Sequence, residues 1–86
     1  MTRAMAEEWS KDGICVNAIG PGFFPTELTA KVFADDERAQ RLAAQTCIGR
    51  NGTMHDVHGV TIFLCSHASD YITGQTVFCD GGFTAK

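Results

Sequence analysis

The segment Gly20-Pro21-Gly22-Phe23-Phe24-Pro25-Thr26 places two aromatic rings and a hydroxyl in a connection built on glycine and proline. Loops are ordinarily polar, so two adjacent aromatics there read either as a pocket wall or lid, or as a satellite of the core. His55 and His58 stand three residues apart, with His67 further on. An H-x-x-H pair beside a carboxylate is a metal-ligand pattern, but Asp56 projects elsewhere on the same helix. Surface or interface histidines are the simpler reading, and no metal site is assigned. Cys15, Cys47, Cys65 and Cys79 form no C-x-x-C, which excludes a thioredoxin or zinc-ribbon framework. Lying mostly in apolar runs, they read as small buried hydrophobes. Glu7-Glu8 and Asp35-Asp36-Glu37 read as solvated helix faces rather than as an acid/base pair.

These groups need elements to hold them. Met1, Ala4, Met5 and Trp9 recur at helical spacing, which predicts a helix from Met1 to about Asp12, closed by Gly13. Ile14 to Ile19 reads as a strand apolar on both faces except at Asn17, whose amide is expected to satisfy nearby backbone. Gly20-Pro21-Gly22 ends it. Asp35-Asp36-Glu37 opens a second helix with acids at its positive end, finishing before Gly49. Thr53 and Asp56 form a T-x-x-D box ahead of a third helix. The apolar positions of that helix (Val57, Val60, Thr61, Leu64 and Cys65, widened by Ile62 and Phe63) are broad enough to be buried on more than one side. Thr76 to Cys79 is a second strand, ended by Asp80-Gly81-Gly82. Helix, strand, helical crossover and strand imply an α/β layer with parallel pairing. Ligands on open α/β sheets bind beyond the carboxyl ends of the strands. That rule points to Pro21-Gly22-Phe23-Phe24 and, less strongly, to Asp80-Gly81-Gly82.

Composition narrows the classes. The 86 residues allow a single small domain, spanning residues 1–86, and 44% of them are hydrophobic, which is ordinary globular composition. A net charge of −3 with seven unclustered basic residues gives no footprint for nucleic acid. No apolar run approaches the length of a membrane span, no signal-peptide pattern is present, and cytoplasm is the default location.

Taken in order, Gly13 through Thr26, Arg50-Asn51-Gly52, Ile62 through Ser66, and Tyr71-Ile72-Thr73-Gly74-Gln75 through Asp80-Gly81-Gly82 resemble the C-terminal portion of the short-chain dehydrogenase/reductase family. The wording is most similar to the gluconate 5-dehydrogenase-like, sugar-acid branch. The resemblance implies an α/β fold: a C-terminal fragment of a Rossmann-type doubly wound parallel sheet, ordered helix, strand, helical lid, helix, strand. It implies NAD or NADP as cofactor. Pro21 and Gly22 would let the backbone turn close to the nicotinamide. Phe24 would hold the carboxamide through its backbone N–H and C=O, and the Thr26 hydroxyl would bond that carboxamide or a phosphate. The stretch from Glu27 to about Gln45 would be the substrate-side lid. Helix 54–66 and strand 76–79 would pack against a symmetry mate, with Val57, Val60, Leu64 and Phe78 in the contact.

The family's chemistry uses a serine, a tyrosine acid and a lysine four residues after it. This chain has one tyrosine, Tyr71, followed at that spacing by Gln75, and Tyr71 reads as structural, so no catalytic residue is assigned. The glycine-rich phosphate turn is also missing. Met1 falls in mid-helix by the family pattern, which predicts a truncated or partial chain. The expected function is therefore part of an NAD(P)-dependent oxidoreductase acting on a small hydroxyl or carbonyl substrate, with a sugar acid in view, and the chain by itself is expected to be inactive. The alternatives are a non-catalytic oligomerisation module and an inactive gene remnant.

Overall fold

The computed structural model describes residues 1–86. Helix α1 (Thr2–Trp9) tightens into a 3-10 turn over Ser10–Asp12. Gly13 closes it in the left-handed region, at φ 86°, with its N–H donating to the Ser10 carbonyl. Strand β1 (Ala18–Pro21) and strand β2 (Thr76–Cys79) pair in parallel, with Ala18 opposite Thr76 and Pro21 opposite Cys79. Between them lie α2 (Ala30–Ala34), α3 (Asp36–Ala43) and α4 (Met54–Leu64). The two glycine-bounded apolar runs therefore lie side by side and point the same way, as the sequence predicts.

The first strand starts later than its composition suggests. Residues 14–17 meet a turn, not a strand, and side chains replace the ladder there. Val16 N–H donates to Thr73 Oγ1 at 3.1 Å, and Gly74 N–H donates to the Val16 carbonyl at 2.7 Å. The Asn17 amide donates to the Ile72 carbonyl at 3.0 Å and accepts from Gln75 N–H at 3.1 Å, so it satisfies backbone on both sides. The ladder then runs through Pro21, at the strand end where a missing N–H is tolerated. The stretch expected as one helical lid is two helices broken at Asp35. That side chain caps α3 by accepting from Glu37 N–H and Arg38 N–H. The T-x-x-D box forms as expected: Asp56 Oδ2 accepts from Thr53 N–H at 2.8 Å and from the Thr53 hydroxyl at 3.1 Å. Helix α4 ends at Leu64 rather than at residue 66.

Only Ala6, Phe24, Thr46 and Ser69 are buried. The radius of gyration is 15.5 Å, against about 12 Å for a compact chain of this length, and the long axis is 48 Å. Such a slab cannot cover both faces of its sheet, and two sequence expectations, the burial of α4 on more than one side and of the cysteines, give way for that reason. Helix α4 is covered on one side only: Val57, Val60 and Leu64 are half-buried, while Ile62 is 68% exposed and Met54 and Phe63 also face out. On α4 and β2 the exposed large apolar groups are Met54, Ile62, Phe63 and Phe78. Cys15, Cys47 and Cys65 are exposed free thiols, and Cys79 is half-buried. Tyr71 lies in its turn fully exposed. No helix is long and apolar enough to cross a membrane.

Candidate functional site

Both strands end at one place, and the chain beyond each end is folded against the other. Gly22 N–H donates to the Cys79 carbonyl at 3.0 Å, extending the ladder one step past Pro21. A Cβ on Gly22 would lie 2.7 Å from Asp80 Cα, so only glycine allows this approach without displacement. The Phe23 carbonyl accepts from Gly52 N–H at 2.8 Å, and the Phe23 ring meets Phe83 edge-on at 5.1 Å. The Phe24 ring covers Gly52, where an added Cβ would collide with ring carbon Cε1. The two aromatics therefore fill both roles the loop composition allowed. Phe24 is core, and its backbone, with Phe23, forms a pocket wall.

The next turn is organised by Thr29. Its hydroxyl donates to the Phe24 carbonyl at 3.0 Å and accepts from Thr26 N–H at 2.8 Å, and it lies 3.0 Å from the Thr26 hydroxyl. Phe24 N–H makes no hydrogen bond within the chain. Its carbonyl has a lone pair beyond the one Thr29 uses, and the exposed Thr26 hydroxyl can donate or accept. The loop thus keeps one N–H without a partner in the chain, one half-used carbonyl and one hydroxyl. The start of α3 is capped by a carboxylate and followed by Asp36 and Glu37, which oppose an anion.

Two open cavities flank the loop. One, of about 290 Å³, lies between Phe24, the 46–52 segment and the Asp80 turn. Its charges are neutralised locally. Arg50 holds Asp56 by two hydrogen bonds, at 2.8 and 3.0 Å, and that pairing, helped by Thr53 N–H, keeps the Asp56 carboxyl well below the usual carboxylate range. The same bonds raise the Arg50 guanidinium. Asp80 is lowered mainly by the Thr84 hydroxyl at 2.8 Å, then by the Thr84 and Gly82 N–H groups at 3.0 Å. The second cavity, of about 450 Å³, lies between the loop and the lid helices and is bounded by Gly22, Phe24, Thr29, Phe33, Arg38 and Arg41 among others.

Of the residues singled out by sequence, Gly22 and Phe24 border the larger cavity, Pro21 ends β1 behind them, and Thr26 is turned toward Thr29. Sequence reasoning misses Thr29 itself, although a T-x-x-T spacing in a loop is an available signal for such a turn. It misses Arg38 and Arg41 because a charged residue on a short polar helix carries no local mark of what it faces. His55 and His58 are exposed, with ring centroids 6.1 Å apart, and His67 lies 3.1 Å from Asp70. No three metal-ligating side chains converge.

Residues 1–84 match a family model described as enoyl-(acyl carrier protein) reductase. Over all 86 residues the chain is 42% identical to 2-dehydro-3-deoxy-D-gluconate 5-dehydrogenase of Dickeya dadantii and 38% identical to gluconate 5-dehydrogenase of Gluconobacter oxydans. It spans 34% of the length of each, about a third. Among solved structures it superposes on a gluconate 5-dehydrogenase from Burkholderia cenocepacia in complex with NADP and tartrate, with a TM-score of 0.93 and 40% identity. That match covers 99% of this chain and 33% of the other. It also superposes on 4-hydroxyisoleucine dehydrogenase complexed with NADH, with a TM-score of 0.91 and 33% identity over 99% of this chain and 35% of the other.

Proposed function

Because the chain belongs to the short-chain dehydrogenase/reductase family, we propose that it supplies the nicotinamide-side loop and substrate lid of an NAD(P)-dependent oxidoreductase. The observation that carries this reading is the loop after β1, with a free Phe24 N–H, a half-used Phe24 carbonyl and a Thr26 hydroxyl fixed by Thr29. Phe24 N–H would donate to the carboxamide oxygen of the cofactor, and the Phe24 carbonyl and Thr26 Oγ1 would accept from its amide. Pro21 and Gly22 bring this backbone to the strand ends, where the ring would lie. When bound, the nicotinamide supplies or accepts the hydride. The chain's own work is to orient that ring and to wall off water with Phe23 and Phe24. The substrate is a small alcohol or its carbonyl, and sugar acids are favoured by the gluconate dehydrogenases among the relatives.

Titration of the isotope-labelled chain with NADP+ tests this by amide shifts. Saturable shifts confined to residues 22–29, weakened in Thr26→Val, are expected. Shifts that never saturate, or that spread evenly over the surface, would refute it.

The exposed apolar groups support a second element of the reading, self-association through helix 54–66 and strand 76–79. Met54, Ile62, Phe63 and Phe78 are exposed apolar groups on α4 and β2 that the chain itself does not cover. Sedimentation at micromolar concentration should give a dimer or larger species that Ile62→Glu returns to monomer. A monomer in the unsubstituted chain would rule this contact out.

A further inference from the structure

The cavity between the loop and the lid has an asymmetric lining. Phe23, Phe24, Val32, Phe33 and Leu42 make its apolar wall, and Arg38 and Arg41 are its only charged groups. Both arginines lie on α3 at i and i+3, so they project from one face of that helix. No aspartate or glutamate borders the cavity. Arg38 has no side-chain hydrogen bond or ion pair; Arg41 has a single loose one, to Glu37 at 3.7 Å with both groups well exposed. Such a pair adds little and is readily exchanged for a better anion. By contrast Arg50, the other arginine near the loop, is fully engaged with Asp56.

Unpaired guanidinium groups beside an apolar wall are a recognition device. The planar fork fits a carboxylate with two parallel N–H···O bonds. We propose that Arg38 and Arg41 are the specificity-determining residues of this chain and bind the carboxylate of a small hydroxy or oxo acid. Its carbon skeleton would lie along the Phe24–Phe33 wall toward the Gly22–Phe24 backbone. The inference rests on the reading that this loop faces the nicotinamide, since that places the acid's carbinol carbon next to the hydride. Within the stretch that the resemblance gives as the substrate-side lid, it assigns the anion selectivity to two residues of α3.

The test is a resonance titration of the full chain, following arginine side-chain N–H signals, with sodium gluconate, sorbitol and glucose 6-phosphate as separate probes. Gluconate is expected to shift the Arg38 and Arg41 signals saturably, and sorbitol, the uncharged polyol, to leave them unmoved. The doubly substituted Arg38→Gln, Arg41→Gln chain should lose at least tenfold in gluconate affinity. Glu37→Gln, which releases Arg41, should gain affinity. Both arginines are exposed, so these variants keep the fold. Equal responses to gluconate and sorbitol, or unchanged gluconate affinity in the double variant, would overturn the proposal. Tighter binding of glucose 6-phosphate than of gluconate would overturn the carboxylate assignment. NADP+ shifts at Phe24 and Thr26 should persist in the double variant. Their absence in the unsubstituted chain would instead sink the cofactor reading, so the two failures are separable.

Discussion

Replacing Gly22 with alanine would place a methyl carbon 2.7 Å from Asp80 Cα and 2.9 Å from Asp80 Cβ. Ordinary contact begins near 3.4 Å, so the strand ends must part by about 0.7 Å. A side chain in the way could rotate aside, but Asp80 Cα belongs to the backbone and its carboxylate is tied to Gly82 and Thr84. Forcing such a gap costs about 1–3 kcal/mol as overpacking, and losing the Gly22 N–H bond to Cys79 adds about 1 kcal/mol. For 86 residues a total stability of roughly 4–13 kcal/mol is ordinary, and a chain with four buried residues belongs near the low end. The substitution is therefore expected to remove a large part of the stability. Gly59→Ala is the matched control. Gly59 lies inside α4 with nothing within 4 Å of an added Cβ, so there the same change should stabilise by about 0.8–1 kcal/mol through helix propensity. Urea unfolding followed by circular dichroism measures both. The two variants should differ by at least about 2 kcal/mol, with faster exchange of the residue-22 amide in Gly22→Ala. If both variants unfold at the same urea concentration, the steric account of this loop is wrong.

Two further outcomes follow from the hydrogen bonds around the site. Thr29→Val keeps the shape but removes the hydroxyl that holds Phe24 and Thr26, and should cost about 0.5–1.5 kcal/mol. Amide exchange should quicken at Thr26 and not at Ala18, and uniform quickening would point to global loosening instead. Asp56 and Asp80 both have carboxyls lowered in the folded chain, by Arg50 and by Thr84 respectively. The stability they contribute is complete above the unfolded carboxylate value of about 4 and is lost as pH falls from there through the folded values. The urea midpoint should hold steady between about pH 5 and 7 and drop below about pH 4, with a shallower drop in Asp56→Asn. A midpoint that rises on acidification would contradict the assignment.

The parts legible in the sequence are those fixed by short-range rules. The T-x-x-D box at Thr53, the glycine stop at Gly13 and the strand at Thr76–Cys79 all depend on residues within a turn of one another. The start of β1 is not legible in the same way. Ile14 to Asn17 has strand composition, but its partner segment is the Ile72–Gly74 turn, and only the pairing reveals that. The cysteines and α4 mislead for a related reason. Apolarity shows that a residue is suited to burial, whereas burial depends on what lies across from it, and this slab leaves much of its surface uncovered. At the site, Gly22 and Phe24 stand out because an aromatic loop is unusual. Thr29, Arg38 and Arg41 do not, because their roles come from facing one cavity from separate elements of the chain.

The loop's geometry and the chain's stability rest on the same contacts. Residues 22–24 are held by Cys79 through a hydrogen bond, by Asp80 through close approach, by Gly52 through both, and by Thr29 through its hydroxyl. These anchors come from three different segments: the end of β2, the turn before α4, and the entry to the lid. The Gly52 anchor is itself braced on one side by the Arg50–Asp56 pair and on the other by Asn51, whose amide donates to the Ala39 carbonyl in α3 at 2.9 Å. Helix α3, which carries Arg38 and Arg41, is therefore tied to the Phe23–Phe24 backbone through Asn51-Gly52 and not only through the chain between them. Two hydrogen bonds, Asn51 to Ala39 and Gly52 to Phe23, thus link α3 to the loop after β1.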